Sequence, residues 1–370
     1  MGMTQLQESI RHDVAPDHFR RSPQFKRSSE EIRWNGGYQL IEPRVMPKPE
    51  GIPANCIGYN PTGLHTLPPH SIDNPTDSPI DVMILRVEPN RVDAVTSHLG
   101  KSVVRAYMIN LQNLEVPMRP FHGATEFLGE DASLIRIRRR LPISGKLEKA
   151  WLHSSVYVQP KPDKPYEVAS FQTLFRSGTS LNNLEIVAEG PPGMKDIRNA
   201  IDADPDSSRL HVWPRPQPYS ETGNVSYMSV PDLSKLTEEA IANAPLIHKD
   251  LYPEDSGVWG GVGEAWLVGN GKYVLASHQA WMTGPNNSGK CYEGLMFGHN
   301  TITKRIVELG VIAAAAMFPG HTVKDDMTIN LNNVVFPGGG HNGKPELLTF
   351  GVGDGSVGIG RLRRLPGRHR

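Results

Sequence analysis

The sequence predicts an all-β chain, and three observations carry that expectation. The 36 glycines and 32 prolines are spread along 370 residues instead of forming one linker, which implies many turns and many short strands. Apolar runs of strand length recur between those turns. One stretch alone, Asp232 to Ala244, has the character of a helix: it opens on Pro231-Asp232-Leu233-Ser234 and carries Leu233, Leu236, Ala240 and Ile241 on one stripe. A long chain without strand–helix alternation is a sandwich, a β-helix or a propeller. No exact repeat is visible, so the blades of a propeller would be diverged.

The strand-like runs follow in order. They include Asp81 to Val87, Ser102 to Met108, Ser133 to Ile137, Ala150 to Val158 and Leu184 to Ala188. Further on come Leu210 to Trp213, Asn224 to Val230, Gly263 to Val268, Lys272 to Ser277, Asn333 to Phe336 and Leu347 to Phe350. Asn270-Gly271 between two of them is a strong hairpin signal. Residues 302–318 are β-branched enough to favour strands over a second helix. Residues 1–35 are polar and charged and read as an arm with little structure of its own.

Charge and cysteine content exclude several classes. Thirty-nine basic residues balance 39 acidic ones, so nothing asks for a nucleic-acid or anionic-membrane partner. The short basic clusters, Arg138-Arg139-Arg140 and the tail from Arg361, fit a solvated face or a frayed end. Cys56 and Cys291 are too far apart to read as a disulfide framework or a metal motif. The first 20 residues have no apolar core of a secretory signal, and the longest apolar run, Val311 to Phe318, is too short to cross a bilayer. A soluble cytoplasmic protein with a small-molecule ligand is the expectation.

Near the middle lies Gly190-Pro191-Pro192-Gly193-Met194-Lys195-Asp196-Ile197-Arg198. Two prolines and two glycines force a tight, irregular backbone. If the charged residues are extended, Asp196 and Arg198 are two apart and share a face. A carboxylate and a guanidinium projecting together can grip a polyhydroxylated ligand, or form an architectural ion pair.

Two motifs mislead. Gly284-Pro285-Asn286-Asn287-Ser288-Gly289-Lys290-Cys291 approaches a phosphate-binding loop, but Cys291 replaces the magnesium-binding hydroxyl and a strand-like run follows where a helix is required. Gly353 to Gly358 matches a dinucleotide fingerprint with no room for a βαβ unit. The histidines are scattered without metal-ligand spacing. His278 is worth keeping, because Leu275 to Ala280 looks like a strand ending at a rim.

Several pieces in shared order resemble a domain-of-unknown-function family of five-bladed β-propellers, similar in fold to β-mannoside phosphorylases and mannosidases, arabinanases and fructosidases. They are Gly58-Tyr59-Asn60-Pro61-Thr62, Arg86-Val87-Glu88-Pro89, Gly129-Glu130-Asp131 with Leu134-Ile135-Arg136, and Ser170 to Gly178. The rest are the Gly190–Arg198 stretch, Arg215-Pro216-Gln217, Trp259 to Ala265, Phe318-Pro319, Val334 to Gly339 and Gly353-Asp354. The chain departs from the family at Gly263 and Asn333, where the family has Asn and Asp, and at Asn90, Arg91 and Val92. The resemblance covers about residues 55–360 and implies one five-bladed propeller over residues 36–365.

The resemblance implies a carbohydrate-active enzyme, a glycosidase or glycoside phosphorylase, with carboxylates at one end of the propeller channel. Glycoside cleavage uses carboxyl groups to protonate the leaving oxygen and to activate the attacking group. The candidates are Asp131, Asp196 and Glu264, each in a different blade. Glu264 is favoured as the acid because Trp259 and Trp266 nearby could exclude water and raise its pKa, with Asp196 as base or sugar clamp. Asn60, Glu130, Arg198, Arg215, His278 and Asp354 are the expected substrate-binding residues. No cofactor is expected, beyond a structural divalent cation that the channel could hold. Two alternatives stand beside this: a lyase, isomerase or cyclase using the funnel as a shaped pocket, and a non-catalytic binding propeller.

Overall fold

In a computed structural model the chain forms five antiparallel sheets arranged as the blades of a β-propeller. The structure describes residues 38–92, 101–141, 143–164, 168–201, 204, 206–215, 224–247, 251–252, 257–284, 287–326 and 329–364. The arm expected at residues 1–35 lies outside them.

Each blade begins with its innermost strand. Blade 1 starts with Cys56–Tyr59 and His65–Leu67, which both pair with Ile80–Pro89, followed by Val103–Ile109. Blade 2 runs Glu130–Arg140, Leu147–Pro160, Val168–Gly178 and Glu185–Glu189. Blade 3 is Lys195–Ile201, Leu210–Arg215 and Met228–Val230. Blade 4 is Val258–Gly269, Lys272–Thr283, Gly289–Asn300 and Arg305–Ala313. Blade 5 is Val335–His341, Lys344–Val352 and Ser356–Arg364, and its outer strand is Tyr38–Val45 from the beginning of the described chain. That last pairing joins the two ends of the described chain and closes the ring.

Between neighbouring blades lie five buried apolar clusters. Val274 and Phe350 join blades 4 and 5, Tyr273 and Trp213 join 4 and 3, and Leu152 and Ile197 join 2 and 3. Met83 and Ile359 join blades 1 and 5, and Val82 and Trp151 join 1 and 2. Burial on both faces explains why most of these strands read as continuous apolar runs. Asp73 pins blade 1 to blade 2, accepting from Trp151 Nε1 (2.8 Å), Ser180 Oγ (2.7 Å) and the Leu181 amide (2.7 Å).

Local signals were mostly legible. Asn270 and Gly271 both hold positive φ (41° and 69°) in the blade 4 hairpin, as that dipeptide requires. Gly289, Lys290 and Cys291 of the first motif lie on a strand of blade 4, and Gly353–Gly355 turns a hairpin in blade 5. The helix expected over Asp232–Ala244 is corrected. It is a 3-10 turn, Leu233–Lys235, then a single α-helical turn and a half, Glu238–Ala242. Leu236 leaves helical geometry (ψ 87°), and the Thr237 hydroxyl caps the second piece by accepting from the Ala240 amide at 3.2 Å. Leu233, Leu236 and Ile241 are buried as the stripe required. The run Asn333–Phe336 is also split: Asn330–Asn333 pairs with blade 4, and a new strand starts at Val335. Among the described residues no helix is long and apolar enough to cross a membrane.

At the waist of the channel the backbones of blades 1, 4 and 5 come very close. A Cβ on Gly263 would fall on the Pro337 carbonyl oxygen, and one on Gly339 would fall on the Glu264 carboxyl. Gly263 is one of the family departures, and its close contact with blade 5 leaves no room for Asn. Glu264 fills the waist, 6 % exposed, and accepts from the Gly340 amide at 2.6 Å. Burial pushes its carboxyl up to about 8, against the opposing pull of the Gly340 amide, Trp266 and Arg198.

Two outcomes follow. Leu40, on the closing strand, is 1 % exposed within the cluster between blades 4 and 5, so Leu40→Ala should lower stability in chemical denaturation by about 2–5 kcal/mol. Glu264 binds its proton more tightly folded than unfolded, so stability should fall as pH rises from the unfolded carboxylate range to about 8 and level off above it. Glu264→Gln, neutral throughout, should flatten that slope, which reaches at most about 1.4 kcal/mol per pH unit; an unchanged slope would show that another group causes it.

Candidate functional site

The inner strands all start at one end of the channel, and that end opens into a polar funnel with a cavity of about 240 Å³. The loop after Cys56–Tyr59 brings Asn60; the first residues of Glu130–Arg140 bring Glu130 and Asp131; Lys195–Ile201 brings Arg198. Second strands add Arg86, Arg215 and His278, and the hairpin turn of blade 5 adds Asp354. Seven expected site residues therefore line one cavity: Asn60, Glu130, Asp131, Arg198, Arg215, His278 and Asp354.

Backbone strain gathers at the same place. Asn60, Asp131 and Asp354 have φ of 49°, 47° and 48°, all left-handed. Asn and Asp tolerate this region better than other side-chain-bearing residues. Three such residues on one rim, from three blades, show the surrounding structure holding polar side chains toward the funnel.

Blade 1 anchors the acidic wall. Arg86 pairs with Glu88 (2.5 Å), Glu130 (2.8 Å) and Asp131 (3.6 Å). Burial opposes its charge, but Glu130 and Glu88 more than compensate and hold its pKa well above the usual range. Glu88, fully enclosed behind Arg86, also accepts from Tyr59 Oη (2.5 Å), Ser102 Oγ (2.6 Å) and Lys324 Nζ. Asn60 Nδ2 donates to Asp131 Oδ1 at 3.0 Å. Burial raises the Asp354 carboxyl, partly relieved by Lys324 and Arg86.

Blades 3 and 4 supply the opposite wall, which is cationic. Arg198 Nε donates to the Gly263 carbonyl at 2.9 Å, tying the two blades together. Arg215, Lys290 and His278 line the same side. The His278 ring stacks on Tyr292 (centroids 5.3 Å apart) and meets the edge of Phe336. The described lining residues include three carboxylates (Glu130, Asp131, Asp354) and five cations, of which Arg86 and Lys324 stand with the acidic wall and Arg198, Arg215 and Lys290 stand on blades 3 and 4.

Two expectations are corrected or lie out of reach. Glu264 does not face this funnel. Gly263 lines it, and the next residue, Glu264, lines a separate cavity at the far end of the channel together with Trp266. Trp259 instead sits edge-on to Tyr292, so the two tryptophans do not enclose Glu264 together. The side chain of Asp196 lies outside the described residues. Its strand pairs Lys195 with Arg215 and Arg198 with Trp213, so a bulge falls between them and strict two-residue alternation does not hold there. Trp213 is fully buried and donates to His299 Nδ1 at 3.1 Å, a core role.

Sequence reasoning missed Tyr59, Lys290, Tyr292, Lys324 and Phe336 as lining residues. Lys290 stood within the false phosphate-loop match, and Arg86 and Glu88 alternate as two charges in an otherwise apolar strand, a signal for a buried pair. Lys324 comes from a loop without a motif. Among the described residues no group of three or more His, Cys, Asp or Glu side chains is placed to hold a metal ion.

Comparison with solved structures returns the same fold. A mannose phosphorylase from Leishmania mexicana, in complex with phosphate ion, superposes with a TM-score of 0.67 at 19% identity, over 93% of this chain and 92% of that one. A GDP-Man-dependent mannosyltransferase from the same organism gives 0.66 at 20% identity, over 89% and 91% of the two chains. A hypothetical protein from Leishmania major gives 0.65 at 19%, over 89% and 92%. No curated protein matches the chain by sequence. Residues 141–360, more than half of the chain, match the family described as Protein of unknown function (DUF1861). With its five blades and its ordered set of matching turns, the chain belongs to the DUF1861 family.

Proposed function

We propose that the chain is a carbohydrate-active enzyme that cleaves a glycosidic bond with phosphate. The observation that carries this is the division of the funnel: the carboxylates Glu130, Asp131 and Asp354 come from blades 2 and 5, and Arg198, Arg215, Lys290 and His278 stand on the wall of blades 3 and 4. Hydrolysis needs one carboxyl as acid and another to activate water or attack. Phosphorolysis needs only the acid, because phosphate is itself the nucleophile, and it needs cations to hold that anion.

The roles follow from position. A phosphate held by Arg215, Lys290 and His278 attacks the anomeric carbon. The bond from that carbon to the bridging oxygen breaks, and Asp131 gives its proton to the departing oxygen. The products are a sugar 1-phosphate and the shortened acceptor. Asp131 suits the acid because it stands at the mouth of the inner strand of blade 2, part-exposed, while Glu130 beside it is committed to Arg86. Asn60 orients Asp131. Asp354, deeper among Lys324 and Arg86, holds substrate hydroxyls. Arg86 fixes the acidic wall through Glu88 and Glu130.

A second reading, hydrolysis, draws on one observation: Asp354 supplies another carboxyl to the same funnel, and its pKa is raised. The fold shared with a mannose phosphorylase makes manno-oligosaccharides the first substrates to try. In the presence of inorganic phosphate, phosphorus NMR should show a sugar 1-phosphate accumulating. Asp131→Asn should cut kcat by about 10²–10⁴-fold, and Arg215→Ala should raise the KM for phosphate by about 10–100-fold at a smaller cost in kcat. Free sugar released at a rate indifferent to phosphate would establish the hydrolytic reading, and no turnover of any glycoside would overturn both.

A further inference from the structure

On the seam between blades 1 and 2, just outside the acidic wall, the rim of the funnel carries two exposed apolar side chains that the proposed chemistry does not use. Leu128 is 52 % exposed and Tyr157 is 39 % exposed. They line one small hollow together with Ser102, Gly129, Glu130 and Val158. Leu128 pairs with Val103 of blade 1, and Val156, the residue before Tyr157, pairs with Glu130 within blade 2. Tyr157 shares a strand face with Trp151, which packs toward blade 1. Both side chains therefore stand at the seam.

The hollow adjoins the reacting end. Glu130 lines both the hollow and the funnel, and Asp131 follows it in the chain. From Leu128 to Asp131 the chain spans at most about 11 Å, a short step for an oligosaccharide. The hollow itself holds only about 10 Å³, so it is a platform on which a ring can lie. Its lining carries no free charge for an ionic ligand: the Glu130 carboxylate is paired with Arg86 at 2.8 Å, and the lining has no cation. A tyrosine ring beside a leucine offers apolar contact with water open above it. That suits the C–H face of a pyranose whose hydroxyls stay hydrated.

The direction of the reaction points the same way. Attack on the anomeric carbon comes from the side opposite the departing oxygen. With phosphate on the wall of blades 3 and 4, the departing part of the substrate lies over Asp131, and a longer chain runs on toward blades 1 and 2. We propose that Tyr157 and Leu128 form a platform for the departing part of the substrate, holding a sugar ring beyond the one that carries the departing oxygen. The proposal rests on the phosphorolytic reading above, and it makes chain length the quantity that the site selects.

The test uses the full chain carrying Asp131→Asn, so that sugars bind without being cleaved. Calorimetric titration with β-linked mannobiose and mannotetraose should give a Kd about tenfold lower for the tetraose. Tyr157→Ala added to this chain should erase that gain and leave the mannobiose Kd unchanged, whereas Tyr157→Phe, which keeps the ring, should preserve it. With Asp131 in place, Tyr157→Ala should raise the KM for mannotetraose about tenfold and leave kcat and the KM for phosphate unchanged. The platform is overturned by equal affinity for the two sugars, by binding of neither, or by a gain that survives Tyr157→Ala. A gain that Tyr157→Ala erases, in a chain that forms no sugar 1-phosphate, would uphold the platform and overturn the phosphorolytic reading. Dimerisation that Tyr157→Ala abolishes and mannotetraose does not affect would place a second copy of the chain there and overturn the proposal. Should Tyr157→Ala fail to fold, Leu128→Ser carries the same expectation.

Discussion

The close approach of backbones at the channel waist is the constraint on which the rest depends. Blades 1, 4 and 5 meet where Gly263 faces Pro337 and Gly339 faces Glu264 and Gly63. A side chain at either glycine would push the blades apart. Because they are that near, the first strand of each blade can present its opening residues to one end of the channel and its later residues to the other. Two cavities with different chemistry arise from one ring of strands. Arg198 and Asn199 are adjacent in sequence and line different cavities, as do Gly263 and Glu264; the period-two geometry of a strand makes that division.

The funnel's acidic wall is held from behind. Glu88 is enclosed and bound to Arg86, Lys324, Tyr59 and Ser102, so no charge in that layer is left uncompensated. Arg86 then fixes Glu130 by a direct ion pair and Asp131 at longer range. The wall is thus a rigid support whose front carboxyl, Asp131, is the part that reaches the cavity. Removing Glu88 would leave Arg86 and Lys324 buried with fewer partners, so the network acts as one unit and its members' contributions are not additive.

The legibility of the chain follows the range of the interactions involved. A turn set by local backbone demands, Asn270-Gly271, could be placed from residue type alone, and Gly353-Asp354 through the family resemblance. Strands buried on both faces showed as apolar runs. The ordered turns carried the blade count, and the polar residues on them, Asn60, Asp131 and Asp354, proved to share a rim and a left-handed backbone. What failed depended on direction or on distant partners. Glu264 was close in sequence to the right strand, but which way it points is set by register and by the glycines of blade 5. The helix at Asp232–Ala244 had the right stripe, but a threonine hydroxyl competed successfully for a backbone amide in its middle. Lys324 reaches Glu88 across 236 residues of sequence, and nothing local announces such a partner. The closing strand Tyr38–Val45 pairs with the far end of the chain for the same reason.

Moving Glu264 out of the funnel changes the chemical argument more than it changes the residue list. With a carboxyl from blade 4 beside Asp131, a two-carboxylate mechanism with water is the natural one. Without it, the wall of blades 3 and 4 has Arg198, Arg215, Lys290 and His278 where a base would stand. Arg198, Arg215 and Lys290 cannot take a proton from water at neutral pH, since guanidinium and ammonium groups have no lone pair to offer, which leaves the His278 imidazole as the one group on that wall with a lone pair. The three cations can hold an anion that brings its own nucleophilic oxygen. The carboxyl that the waist retains is shielded by Gly339 and Gly340 and kept from the funnel. Glu264 lies instead with Asn199 and Trp266 along the second cavity, where its burial favours the uncharged form.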